Sequence, residues 1–422
     1  MYSNLTKDEL IALCKERKIK GYSGKKKDAI IEMLLGTALP ASAPLPASAP
    51  LPEGPSVAEK KSNKKNRGQF YTTNSSYILD GFELPEDIGC VIEPFAGKGD
   101  LIDWVKNKGY NGKIEAYDIE PKNEGIIKRD TLMNPPDYKD KWIITNPPFL
   151  ARNKCEKKDI FDLYDTNDLY KCFITSVKNQ CKGGIFIIPA GFFFSPRDVD
   201  SRCRDAFMKN YKITKIKYFE ETVFDDTTTT VVAFSFEKSN TGPKAPDTGP
   251  KAPDTGPKAP ELSAQNVEWM MMPSKITKTF NMSSSTDWII GGDIYKLPVP
   301  ENIKVRRCVE GQELKDNEQQ LYITLAALDS GTKEGRINLS YKRDYIYPSK
   351  ECSRTYATFR ITGKVLSENE QIELCKKFNL FLEKKREETW SLFLPQFRES
   401  KEYARKRIPF ELAYRIFLHL LN

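Results

Sequence analysis

"GCVIEPFAGKGDLIDWVKNKGYNGKIEAYDIE", Gly89 to Glu120, is the stretch from which the fold can be read. Its opening apolar run ends in a turn of small residues, Ala96, Gly97 and Gly99. "DLIDWVKNK" then has the spacing of an amphipathic helix, and "GKIEAYDI" reads as a second strand. Strand, tight turn, helix and strand in this order predict two parallel strands. The turn falls at the sheet's carboxyl edge, where a ligand can approach the backbone. The alternation continues outward. "KWIITN", "GGIFIIPA", "ITKIKYFEE" and "TTTTVVAFSFEK" read as strands, and "LYKCFITSVKNQC" and "DSRCRDAFMKNY" as helices. The expected fold class is α/β, a doubly wound and mostly parallel sheet closed by an antiparallel hairpin at one edge.

The turn "EPFAGKGDL" is no phosphate cradle. A P-loop would need glycine where Ile92 stands and Ser or Thr where Gly99 stands, and the dinucleotide fingerprint needs a third glycine. A ligand without phosphate is the expectation. Two acids follow at strand ends. Asp118 is positioned to accept hydrogen bonds from a ribose diol, and Asp130, in "KRDTL", falls where an amino-substituted ring could be held. The next strand stops at "ITNPPF" (Ile144 to Phe149). Neither proline donates a backbone N–H, so the strand ends in a stiff turn, with the Asn146 amide on one side and the Phe149 ring on the other.

Composition narrows the chemistry. The chain has 422 residues and a single histidine, His419, expected on a terminal helix as a surface or packing residue. Histidine triads and multi-histidine metal sites are thereby set aside. Nine cysteines without a CxxC pair indicate neither a zinc site nor a disulfide framework. No 18-residue apolar run and no signal pattern occur, so the expected location is intracellular. That means the nucleus or a viral replication site in a eukaryotic or viral setting, or the cytoplasm in a bacterial one. A net charge of +8 favours a polyanionic partner.

The series "EPFAGKGD", "YD", "RD" and "NPPF", in order and at strand ends, resembles the class I, Rossmann-like S-adenosylmethionine-dependent methyltransferases. "NPPF" marks their amino-group subgroup. "RGQFYTTN" (Arg67 to Asn74), before the first strand, resembles the extra cofactor motif of γ-type adenine-N6 DNA methyltransferases of restriction–modification systems. The resemblance covers Lys64 to Lys238 well and the later region loosely. It implies S-adenosylmethionine as cofactor, with Tyr71, Thr72, Glu93, Ala96 and Gly97 at its methionine end, Asp118 at its ribose and Asp130 at its adenine. Asn146, Pro147, Pro148 and Phe149 would form the catalytic turn that holds the target base, with Phe224 as a second stacking ring; a core phenylalanine is the alternative for Phe224. The implied activity is methylation of the adenine N6 amino group in duplex DNA by base flipping, with no metal and with a cognate restriction endonuclease as a possible partner. An RNA adenine-N6 methyltransferase also carries "NPPF". A protein-glutamine methyltransferase uses a similar turn. A third class is a catalytically inactive DNA-binding protein that kept the fold.

The flanks divide the chain. Residues 1–37 hold a capping box, "TKDE", and two short helical patterns that resemble a SAP domain, a DNA-binding module. Lys25, Lys26 and Lys27 at the second helix could follow phosphates. A helical hairpin for protein contact is the other possibility. Residues 38–63 are a Pro/Ala-rich linker, 64–238 the methyltransferase domain, and 239–262 a repeated low-complexity insertion. Residues 263–422 are a target-recognition and C-terminal helical region by domain order alone. In it "DWIIGG", "QLYITLAAL" and "RTYATFRIT" read as strands, and "RESKEYARKR" (Arg398 to Arg407) as a helical surface face.

Overall fold

The structure is a computed structural model. It describes residues 70–178, 180–195, 197–225, 229–239, 265–282, 290–329, 336–397 and 405–421, and singly 6, 9, 10, 13, 14, 27, 30, 31, 34, 68 and 227. Two compact units are present, Met1–Ser56 and Val57–Asn422.

In the first unit Leu10, Cys14, Ile30 and Leu34 are buried together, with Leu13 and Ile31 packed against them. The capping box forms: the Thr6 N–H donates to Glu9 Oε2 at 2.7 Å and the Glu9 N–H to Thr6 Oγ1 at 3.4 Å. Lys27 is half-buried, and Lys25 and Lys26 lie outside the described residues.

The second unit opens with a single helical turn, α1 (Ser75–Ile78). β1 (Cys90–Glu93) leads into α2 (Asp100–Asn107). This helix buries Leu101, Ile102, Trp104 and Val105 on one face, and Asp100 and Asp103 in its first turn complement its dipole. β2 (Lys113–Asp118), β3 (Ile127–Lys128) and β4 (Trp142–Thr145) follow. Then come α3 (Asp159–Tyr164), α4 (Leu169–Val177), β5 (Gly183–Pro189) and α5 (Asp198–Met208). β6 (Tyr211–Phe219), β7 (Val231–Lys238), β8 (Gln265–Met272) and β9 (Ile276–Met282) complete a nine-stranded sheet ordered β3-β2-β1-β4-β5-β7-β6-β8-β9.

The pairs β2–β3, β1–β2, β1–β4 and β4–β5 are parallel, and β7 runs antiparallel to both β5 and β6. The first seven strands therefore have the order and directions of the class I methyltransferase fold. The β6–β7 hairpin is not the edge that the sequence predicts. β8 pairs in parallel with β6, and β9 closes the sheet antiparallel to β8. Val267, Trp269, Met272, Phe280 and Met282 join the core of this sheet, which supplies the apolar burial that keeps both strands there.

β10 (Lys304–Arg307), β11 (Glu318–Ala326), β12 (Asn338–Tyr341) and β13 (Tyr356–Thr362) form a second, antiparallel sheet ordered β10-β13-β11-β12. Its inner residues, among them Leu321, Ile323, Leu325, Phe359 and Ile361, share a core with α6 (Glu368–Thr389) and α7 (Phe410–His419). A short ladder joins β14 (Gln396–Phe397) to β15 (Arg405–Lys406). Two expectations fail here. Where described, "DWIIGG" is no strand: Gly291, at φ +75°, turns the chain into a 3-10 turn over Gly292–Lys296. "RESKEYARKR" ends in a strand rather than a helical surface face, and Lys406 is buried. Among the described residues no helix is long and apolar enough to cross a membrane.

Candidate functional site

The carboxyl ends of β1, β2 and β4 bring the expected residues to one edge. After β1 the chain turns through Ala96, Gly97 and Gly99. The Ala96 N–H donates to the Tyr117 carbonyl at 2.8 Å and the Gly99 N–H to Ala96 O at 2.7 Å. Gly97 sits at φ +53°, and a Cβ there would lie 2.7 Å from two Tyr71 ring carbons. The turn is thus glycine-requiring, and Tyr71 lies against it. Asp118, at the end of β2, accepts from the Gly97 N–H at 2.8 Å through Oδ2 and from the Glu120 N–H at 2.7 Å through Oδ1. A carboxylate has about four acceptor positions, so each oxygen keeps one for a ligand. Asp130 lies two residues beyond β3, half-buried, and accepts from the Leu132 and Met133 N–H groups at 3.2 and 3.1 Å.

Glu93 is fully buried at the end of β1. Its Oε1 accepts from Thr145 Oγ1 at 2.6 Å and from the Phe95 N–H at 3.1 Å, while Oε2 has no partner. Burial pushes its carboxyl up to about 8, against the two hydrogen bonds that favour the anion.

Asn146 follows β4 and is buried. Its Nδ2 donates to the Phe70 carbonyl at 2.8 Å and to Thr72 Oγ1 at 3.0 Å. A backbone carbonyl only accepts, so the amide nitrogen must face Phe70 and the orientation is fixed. Oδ1 is left buried without a partner. Nor does any described residue donate to the Pro147 carbonyl. Two acceptors on one rigid turn are therefore free.

The Phe149 N–H donates to the Gly68 carbonyl at 2.9 Å, so the segment preceding β1 is bonded directly to the Asn146–Phe149 turn. Gly68, at φ +66°, has no room for a side chain: a Cβ would come 2.6 Å from the Phe149 oxygen. The Leu150 N–H donates to Asp168 Oδ1 at 3.1 Å, which holds the other side of the turn. The Phe149 ring is tilted on Phe70 at 5.6 Å and meets Tyr170 and Phe224 edge-on at 6.3 and 6.4 Å. Phe149 and Phe224 are 8% and 2% exposed. A base stacked between two parallel rings needs about 7 Å, twice a ~3.5 Å carbon contact. Ring rotation, more than translation, would open that slot.

Tyr71, Thr72, Glu93, Ala96, Gly97, Asp118 and Asn146 to Phe149 thus stand around one edge, with Phe224 against Phe149. The sequence did not single out Gly68, Phe70, Thr145, Asp168 or Tyr170. Only Gly68 and Phe70 carried a signal, because they lie inside "RGQFYTTN".

Residues 116–224 match the Eco57I restriction-modification methylase family. The matched methylase segment runs from β2 to the Phe224 loop and includes Asp118, Asp130 and the Asn146 turn. Among solved structures, a modification subunit assigned to a type I restriction enzyme of Vibrio vulnificus YJ016 is 16% identical, with a TM-score of 0.34 over 43% of this chain and 47% of that one. The type I restriction-modification methyltransferase subunit of Streptococcus thermophilus is 13% identical, at 0.35 over 51% of each chain. The type IIG restriction endonuclease BpuSI is 14% identical, at 0.33 over 63% of this chain and 37% of that one. The chain spans about half the length of the first two. Comparison with curated proteins gave no match. Strand order and direction, not these likenesses, carry the fold assignment.

The expected cofactor of this fold is S-adenosylmethionine, and the residues fit it. A glycine turn keeps the backbone approachable beside Tyr71, Asp118 has acceptor positions to spare for a diol, and Glu93 holds a buried, unpartnered oxygen suited to a cationic group.

Proposed function

We propose that this protein transfers a methyl group from S-adenosylmethionine to the N6 amino group of an adenine flipped out of duplex DNA. The observation that carries the proposal is the Asn146 amide, pinned through Nδ2 by Phe70 and Thr72 with Oδ1 left free.

When bound, the cofactor supplies an electrophilic methyl group on a sulfonium. An exocyclic amino nitrogen is a poor nucleophile, because its lone pair is conjugated with the ring. Asn146 Oδ1 and the Pro147 carbonyl would each accept one amino hydrogen and draw the group out of the ring plane, freeing the lone pair. The methyl's bond to sulfur would break as its bond to nitrogen forms, leaving a thioether, and the surplus N6 proton would pass by one of these acceptors to water. Prolines 147 and 148 fix φ and hold the carbonyl still, so little reorganisation accompanies the step. No general base of matched pKa is needed to start it. Phe149, with Phe224 opposite, receives the base and recovers part of the few kcal/mol that flipping costs. Tyr71, Thr72, Glu93, Ala96 and Gly97 hold the methionine end of the cofactor, Asp118 its ribose and Asp130 its adenine.

The two-helix N-terminal unit, with Lys25 to Lys27, serves as a second DNA contact. Residues 263–422 serve target recognition, and a restriction endonuclease of matching specificity is the natural partner. The test is methyl incorporation from labelled S-adenosylmethionine into duplex DNA and into RNA, followed by nucleoside analysis. N6-methyldeoxyadenosine from the duplex is expected. N6-methyladenosine from RNA alone would replace the substrate, and no product from either would leave an inactive binding protein.

A further inference from the structure

Away from the methyl-transfer edge, the crossover from β12 to β13, residues 342–355, gathers exposed rings and cations. Tyr345, Ile346 and Tyr347 are 46, 41 and 38% exposed, and Tyr356 at the start of β13 is 50% exposed. Contiguous apolar and aromatic groups left in water mark a surface with a partner. The same crossover carries Lys342, Arg343, Lys350 and Arg354 against only Asp344 and Glu351.

The crossover is held firmly. Arg307 donates to the Ser353 carbonyl at 2.6 Å and also to the Glu351 carbonyl. The Tyr347 N–H donates to Thr358 Oγ1 at 2.8 Å, and the Ser349 N–H to the Cys308 carbonyl at 3.1 Å. Its side chains are displayed from a fixed backbone.

Two arginines meet at its end. The Ala327 N–H donates to the Thr355 carbonyl at 2.7 Å, and the Ala327 carbonyl accepts from the Ile408 N–H at 2.9 Å. Leu328 bridges Arg407, and the β11–β13 register sets Arg354 on the other side of Leu328, so the two arginines flank one residue on the same face of the strands. Burial, and then the like charge of Arg354, hold the Arg407 guanidinium below its ordinary range. Neither arginine has an ion-pair partner among the described residues. Like charges brought together without a carboxylate leave a place for an anion, and guanidinium forks suit phosphate.

The chain also fixes which way Arg407 points. Lys406, one residue before Arg407, points inward: its Nζ donates to the Trp390 carbonyl and stands 5.8 Å over the Tyr218 ring, with Glu220 facing it. Tyr218 and Glu220 lie at the carboxyl end of β6, just ahead of Phe224. Successive side chains on extended backbone alternate in direction, so Arg407 faces away from that buried contact.

We propose that Arg354 and Arg407, with the exposed rings of Tyr347 and Tyr356 on the same crossover, grip the phosphate backbone of duplex DNA. This rests on the DNA reading above. Contacts of this kind set position and affinity without reading sequence.

The test uses the full chain and a fluorescent mixed-sequence duplex, with anisotropy followed across a salt series. Wild type is compared with R354Q/R407Q and R354K/R407K, and each variant's S-adenosylmethionine affinity reports that it is folded. Losing two phosphate contacts lowers the steepness of log K against log salt by about 2 and weakens binding by roughly ten- to a hundredfold. The lysine pair keeps most of the slope. If the wild type methylates duplex DNA while R354Q/R407Q binds it with unchanged affinity and slope, the grip is refuted and the DNA reading stands. If the wild type binds and methylates RNA but not the duplex, the DNA reading itself fails and the grip falls with it.

Discussion

The two sheets of the Val57–Asn422 unit use buried polar groups in opposite ways. On the outer face of the second sheet the polar side chains answer one another. Arg306 pairs with Glu318, Arg360 donates to Gln320 Oε1 and to the carbonyls of Gln312 and Glu313, and Thr324 meets Thr358 at 3.2 Å. At the carboxyl edge of the first sheet, Glu93 and Asn146 are fixed by donors and acceptors on one side and left open on the other. A buried oxygen without a partner costs about 1–3 kcal/mol, so one standing at the edge where a ligand would sit calls for an explanation. The contrast marks the carboxyl edge of the first sheet as the place where Glu93 and Asn146 stay open.

The sharpest way to break this contrast is Asn146→Ala. It removes the free acceptor and is expected to lower kcat by about 10²–10³, the usual cost of deleting one preorganised group. S-adenosylmethionine affinity, read by calorimetry, should stay within a few-fold. Near wild-type methyl incorporation would refute the role given to Asn146. Gly68→Ala comes next. The left-handed backbone costs an alanine about 1–2 kcal/mol before the clash with the Phe149 oxygen is counted. A lower unfolding midpoint is expected together with a kcat loss larger than stability explains, because Phe149, which must shift, belongs to the turn proposed to hold the base. A drop in midpoint with kcat intact would make Gly68 purely structural.

How much of this was legible beforehand follows from where the determinants lie. Asp118, Asp130 and the Asn146 turn announce themselves because strand, turn and motif are contiguous in sequence. The partners of Asn146 and Phe149 do not, since two of them are the carbonyls of Phe70 and Gly68, and backbone acceptors have no residue signature. β8 and β9 fall within 263–422, which domain order alone sets apart from the first sheet. The parallel ladder of β8 on β6 and the burial of Trp269 and Met282 in the first sheet's core decide the matter. Lys406 sits in a charge run of mixed sign, whose default is a solvated face. A tertiary contact with Trp390 and Glu220 overrides that default.

Matched hydroxyl deletions in the two sheets give a finer test. Thr72→Val removes one of the two acceptors that hold Asn146 Nδ2, and Thr324→Val removes a hydrogen bond of similar kind in the second sheet. Each should cost about 1 kcal/mol where its bond matters. For Thr72 that is expected as about a fivefold loss in kcat, since a slackened amide is a misaimed acceptor. For Thr324 it is expected in denaturant unfolding, with kcat at saturating DNA unchanged. Equal kcat losses in both variants would erase the distinction between the sheets.

The test most specific to the open side of the site is a titration. Unfolded, Glu93 titrates near its ordinary 4.5; folded, burial lifts it to about 8. Between those values the folded chain keeps a proton that the unfolded chain has released. The unfolding free energy of the free protein should therefore fall as pH rises through this window, by roughly 1.4 kcal/mol per unit from this one group, and level off above about 8. Glu93→Gln cannot ionise, so its profile should lack this component. A cationic group set beside Oε2 favours the carboxylate, so S-adenosylmethionine binding should expel a proton at neutral pH and tighten as pH approaches about 8. Calorimetry in buffers of different ionisation enthalpy counts that proton. Wild type and Glu93→Gln are expected to differ by close to one proton released. Identical counts would mean that the orphaned oxygen of Glu93 does not face the cofactor's charge, and the proposed chemistry would then rest on the open acceptors of the Asn146–Pro147 turn alone.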